Sequence, residues 1–130
     1  MPKPPKARHY LEDQTQAAVI AYLRLVAPHM IWASVPNGGY RTPAEAAKLK
    51  WTGVLAGFSD IIGIAENGLA YCLEVKTIDG DLSEAQREFK HRCDELGAPF
   101  AIVRSVNDAR DALRRWRIPT RETKTIGRAA

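Results

Sequence analysis

The sequence predicts a single α/β domain, a mixed β-sheet flanked by helices in the element order α-β-(α)-β-β-α-β-α. Three observations predict it. Apolar residues recur on one side of a helical repeat near the N-terminus. Two short apolar runs, Ile61–Ala65 and Leu69–Thr77, meet at Glu66-Asn67-Gly68 and read as a hairpin. Two further helices with cap signals then bracket the apolar run Phe100–Val103.

Taken in order, Leu11, Val19, Ile20, Leu23 and Val26 form one face of a helix from Leu11 to Ala27, which Pro28 stops. Met30–Val35 is short and β-compatible, and Pro36-Asn37-Gly38-Gly39 is a turn signal. Thr42, Pro43 and Glu45 supply an N-cap, a first-turn proline and the third-position acid of a capping box. The short helix they open carries Lys48 and Lys50 and leads into a Gly53–Gly57 loop. Ser83 and Gln86 open another helix, ended near Leu96 by Gly97 and Pro99. After the Phe100–Val103 strand, Ser105 or Asn107 caps a last helix reaching Trp116.

At 130 residues, 45% hydrophobic and 26% charged, the chain fits one soluble globular core. It has no apolar run long enough to cross a bilayer and no secretory signal. Residues 1–10 read as a basic flexible N-terminus, 11–117 as the domain and 118–130 as a basic C-terminal tail. The end segments 1–10 and 114–130 carry nine Lys or Arg against one acid, so a chain of net charge +4 has a body of charge −4. Basic extremities around an acidic body suit a protein that grips phosphates at its periphery and a cation at its centre, although basic tails are often only solvated. Cys72 and Cys93 lack metal-ligand spacing and read as reduced, packed thiols of a cytoplasmic protein, although two cysteines could pair in principle. His9, His29 and His91 make no metal-binding pattern, and no glycine-rich phosphate loop for a nucleotide cofactor is present.

The hairpin register decides whether these charges make a site. A three-residue loop with Gly68 left-handed pairs Ala65 with Leu69 and sets Asp60 across from Glu74. Glu74 and Lys76 then share that face, roughly 6.5–7 Å apart along the strand. A two-residue Asn67-Gly68 loop is also compatible with the sequence and turns Asp60 to the other face. In the first register two carboxylates repel each other until a divalent cation joins them. Mg²⁺ suits such a set, with the Val75 carbonyl as a further oxygen ligand. The ion would activate a water and polarise a phosphate, while Lys76 orients the water or offsets developing charge. The same residues also read as a solvated cross-strand charge pair beside a turn aspartate.

Gly57-Phe58-Ser59-Asp60, thirteen intervening residues and Glu74-Val75-Lys76 resemble the PD-(D/E)XK signature, with Ser59 in the usual proline position. More specifically, over about residues 11–105 the chain resembles the compact, stand-alone viral and bacterial VRR-NUC nucleases. Glu12-x-x-x-Gln16, Pro36-Asn37-Gly38-Gly39 with Arg41, Gly53-x-x-x-Gly57-x-x-Asp60, Glu74-x-Lys76 and Leu82-Ser83-x-x-Gln86 carry that resemblance. It implies a restriction-endonuclease-like fold and a Mg²⁺- or Mn²⁺-dependent endonuclease. It also implies a homodimer acting on DNA, with branched forms such as four-way junctions as substrate. It makes Glu12 a further acidic ligand, directly or through water, and Gln86 a glutamine facing the site. Each has a purely structural alternative, as a helix-dipole acid and a capping-box residue respectively.

Asn37, Arg41, Lys48 and Lys50 are the candidate phosphate contacts, with a solvated helix face as the alternative. Trp32 and Trp116 are expected in the core. Trp51 is expected in the core or a dimer contact, with base stacking as its other use. A non-catalytic nucleic-acid-binding module is the alternative to the enzyme, and a soluble interaction domain is the third reading.

Overall fold

The computed structural model describes residues 7–36 and 41–122. Its elements follow the expected order: α1 (Ala7–Val26), β1 (Ile31–Ser34), α2 (Pro43–Trp51), β2 (Ile61–Ile64), β3 (Ala70–Val75), α3 (Glu84–Leu96), β4 (Phe100–Val103) and α4 (Val106–Arg115). α1 begins about one turn earlier than expected because helical backbone continues back through Ala7-Arg8-His9-Tyr10. Local chemistry accounts for the other boundaries. Thr42 and Ser83 both close full capping boxes, Ser105 caps α4, and Gly97 ends α3 in a left-handed conformation.

The sheet has the order β1-β2-β3-β4, with two antiparallel pairings followed by a parallel one. A parallel neighbour requires a crossover, and α3 provides it between β3 and β4. Strand alternation then divides the hydrophobic residues between two layers. Ile61, Tyr71, Leu73 and Val75 join Val19, Leu23 and Val26 of α1 and Ala109 and Leu113 of α4 in the main core. On the opposite face Cys72 joins Phe89 and Cys93 of α3, with Phe58 and Phe100 alongside. The ring centroids of Phe58 and Phe89 lie 4.5 Å apart. Both cysteines are buried free thiols, as expected.

Two expectations require correction. Trp51 is 86% exposed and contributes nothing to the core of this chain, because α2 has no buried residue and lies outside both layers. Trp116 is only partly buried; it sits at the core margin with its ring centroid 5.0 Å from that of Tyr71. Packed residues are also found beyond residue 117. Ile118 is a core residue and Thr120 is buried, so the apolar face of α4 continues into the segment that follows. The Tyr22 hydroxyl donates to Glu122 at 2.6 Å, and Arg110 reaches the same carboxylate at 3.2 Å, which fastens that segment to α1 and α4.

Trp32 is core, as expected, and its indole N–H donates to the Ala27 carbonyl. Its ring lies across Gly63, its partner on β2. A Cβ at Gly63 would collide with the ring carbons, so glycine here makes room for a close approach. Gly63→Ala should therefore lower stability by about 1–3 kcal/mol, the usual cost of overpacking. Chemical denaturation checks this, and an unchanged midpoint would mean that the indole moves aside freely.

Candidate active site

β2 and β3 pair with Ile61 opposite Leu73 and Ile64 opposite Ala70, which is the three-residue-loop register. Gly68 is left-handed at φ 82°, and Ala65 and Leu69 close the loop through an N–H to carbonyl bond of 3.1 Å. Asp60 thereby faces Glu74 just beyond the paired residues. Both neighbouring strands hold Asp60. Its carbonyl accepts from the Val35 N–H at 2.8 Å, and its carboxylate Oδ2 accepts from the Val75 N–H at 2.8 Å. The aspartate is thus tied to the residue between Glu74 and Lys76.

The approach to Asp60 is shaped by Gly57 and Ser59. Gly57 has φ 83°, and a Cβ there would collide with the backbone of Ala85 and Gln86. The loop can therefore press directly against the first turn of α3. Ser59 is fully buried, and its hydroxyl donates to the Ile61 carbonyl at 3.1 Å. Where the PD-(D/E)XK motif commonly has proline to set the backbone, this chain uses a buried hydrogen bond.

Glu74 is only 2% exposed. The amide Nε2 of Gln86 donates to its Oε2 at 3.1 Å, while Oε1 is buried with no hydrogen-bond partner among the described residues. Burial, first of all, pushes the Glu74 carboxyl up to about 9. The adjacent Asp60 carboxylate adds to the rise, Lys76 pulls it back, and Glu12 adds the smallest contribution. Asp60, Glu74, Lys76 and Glu12 are thus electrostatically one cluster, drawn from β2, β3 and α1. Lys76 is half-buried on the same side of β3 as Glu74.

Gln86 has two roles that the sequence left as alternatives. Its Oε1 accepts from the Ser83 N–H at 2.8 Å, completing the α3 capping box, while its Nε2 binds Glu74. One amide therefore ends a helix and orients a carboxylate. The sequence contained the signal for Gly57 in the Gly53-x-x-x-Gly57-x-x-Asp60 run, but only the packed loop reveals that it seats Gln86.

Of the candidate phosphate contacts, Arg41, Lys48 and Lys50 fall among the described residues. Arg41 is half-buried and donates to the Pro36 carbonyl at 2.7 Å, bridging the ends of the segment between them. Lys48 and Lys50 are exposed on the last turn of α2. Asn37 lies outside the described residues.

A buried, unpartnered carboxylate oxygen beside a second carboxylate is the donor chemistry of a hard divalent cation. Asp60 and Glu74 fit Mg²⁺ or Mn²⁺. Among the described residues no three His, Cys, Asp or Glu side chains form a metal-binding group.

The four-stranded mixed sheet with this hairpin and flanking helices is a fold shared with solved structures. A solved structure described as a VRR_NUC domain protein superposes with a TM-score of 0.61 at 20% identity, covering 81% of this chain and 86% of that one. A second, described as a VRR_NUC domain, gives 0.54 at 19% identity, with coverage of 79% and 92%. The model of the VRR-NUC domain family matches residues 7–107, so the chain belongs to that family. No curated protein matches it significantly.

The raised Glu74 carboxyl makes metal-free stability depend on pH. The folded state keeps this proton up to about pH 9, whereas an unfolded glutamate releases it near 4.5. Between those values the folded state binds the extra proton, so this contribution is intact below the unfolded pKa and is lost as pH rises. In EDTA, wild type should lose stability relative to Glu74→Gln by up to about 1.4 kcal/mol for each pH unit between 5 and 8. Parallel denaturation curves across that range would contradict a buried, strained acid.

Proposed function

We propose that the protein is a Mg²⁺- or Mn²⁺-dependent endonuclease that hydrolyses phosphodiester bonds in DNA. The observation that carries this reading is the convergence of Asp60 and Glu74 on neighbouring strands, with Gln86 bonded to Glu74 and Lys76 acting on it through space. Membership of the VRR-NUC family supports nuclease chemistry on nucleic acid. Asp60, Glu74 and the Val75 carbonyl would hold the cation, with Glu12 adding negative field from α1. Once bound, the ion polarises the scissile phosphate and lowers the pKa of its water.

The chain's own groups do the rest. The Val75 N–H holds one Asp60 oxygen, so that carboxylate keeps its orientation. Gln86 holds Glu74 Oε2 and leaves Oε1 available for coordination. Lys76 brings an ammonium to the same face, where it orients the attacking water or offsets charge on the phosphate. Ion binding at neutral pH requires Glu74 to release its proton, so metal affinity rises with pH.

Branched DNA, including four-way junctions, is the substrate class this reading adopts, with a homodimer as the acting species. The exposed Trp51, Val54 and Leu55 on and beyond α2 support an interface. A two-fold dimer would also match the symmetry of a four-way junction.

Wild type and Asp60→Ala incubated with linear, nicked, flapped and four-way DNA in Mg²⁺, Mn²⁺ or EDTA test the reading. Wild type should cut only with metal, and the variant should lose at least about a hundredfold in rate while still binding DNA. Equal cutting by both would overturn the assignment. Lys76→Ala should lower turnover by about a hundredfold while leaving calorimetric metal affinity nearly intact. Weakened metal binding with normal turnover would overturn the role given to Lys76.

A further inference from the structure

A groove of about 360 Å³ adjoins the carboxylate cluster, lined by Leu11, Thr15, Thr77, Ile78, Asp79 and Arg104. Leu11 precedes Glu12 on α1, and Thr77 follows Lys76 just beyond β3, so two lining residues are chain neighbours of residues in the cluster. We propose that this groove is a nucleobase subsite, which takes one unpaired base of the strand being cut. The proposal rests on the nuclease reading of the adjoining cluster and specifies which substrates that cluster reaches.

The chemistry of the lining selects a base over a phosphate. A phosphate pocket would carry net positive charge, whereas here the Arg104 guanidinium is accompanied by the Asp79 carboxylate. An acid, a guanidinium and two threonine hydroxyls offer both donors and acceptors, as the edge of a base requires. Leu11 and Ile78 supply apolar surface for its faces. Ile78 is 87% exposed, so its side chain is open to a ligand in the groove.

The turn carrying Ile78 is preorganised. The Thr77 hydroxyl donates to Asp79 Oδ1 at 3.0 Å, the Gly80 N–H donates to the Thr77 carbonyl at 3.0 Å, and Arg104 Nη2 donates to the Gly80 carbonyl at 2.7 Å. A rigid turn limits the ordering cost of binding. A base stacked and paired in a duplex cannot enter such a groove while its phosphate lies at the cluster. Entry requires a nucleotide that is already unpaired or can be extruded, which favours DNA with a mismatch, bulge or strand exchange near the cut.

Fluorescence anisotropy in EDTA, where nothing is cut, tests this with a duplex carrying one bulged nucleotide and the same duplex fully paired. Wild type should prefer the bulged duplex by about tenfold, a typical contribution for one well-held base. Ile78→Asp should reduce that preference to about twofold or less by placing a carboxylate against the base, and Ile78→Leu should retain it. Thermal melting first establishes that both variants are folded, as expected for an exposed position. No preference in wild type, or the same preference in Ile78→Asp, would overturn the subsite. Failure of the nuclease reading is distinguishable, because it would appear as absent metal-dependent cutting with the Ile78-dependent preference intact.

Discussion

Two carboxylates held together at the end of a hairpin, one of them buried, are the constraint around which this protein is organised. Asp60 and Glu74 would separate in a flexible chain, since like charges at short range disfavour joint ionisation. The β2–β3 register forces them together, and the Val75 N–H fixes Asp60 from the partner strand. Burial and the neighbouring Asp60 charge together raise the Glu74 carboxyl, which favours its protonated form.

The surroundings make that arrangement rigid. Gly57 lets the loop before Asp60 touch the first turn of α3, which places Gln86 against Glu74. Gln86 is itself immobilised by the cap it completes for Ser83. A helix terminus, usually a matter of local stability, thus sets the orientation of a candidate metal ligand. Pinning a ligand through a second residue with its own fixed geometry is how a loosely defined charge pair becomes a defined centre.

The two layers also distribute roles. The α1–α4 side carries the larger apolar cluster and continues through Ile118, while the α3 side combines a small aromatic and cysteine cluster with the polar end of β3. α1 serves both purposes, because its later turns bury Val19, Leu23 and Val26 and its first turns bring Leu11 and Glu12 to the cluster. α2 belongs to neither layer. Its basic last turn and exposed Trp51 leave it as surface, which suits a contact with DNA or with another copy of the chain.

Element order, the three cap sites, the glycine that ends α3 and the motif Asp60…Glu74-x-Lys76 were legible in the sequence, because each rests on interactions within a few residues or on periodicity. The register was not, since Asn67-Gly68 suits a two-residue turn as well as a three-residue loop. Packing decides it. Only the longer loop places Ile61, Tyr71, Leu73 and Val75 together against α1 and α4 while Asp60 faces Glu74. The burial of Glu74, the double engagement of Gln86, the exposure of Trp51 and the inclusion of Ile118 and Glu122 were likewise decided in three dimensions. Each depends on contacts between residues distant in the chain, and those contacts exist only once the sheet and its helices have closed around one another.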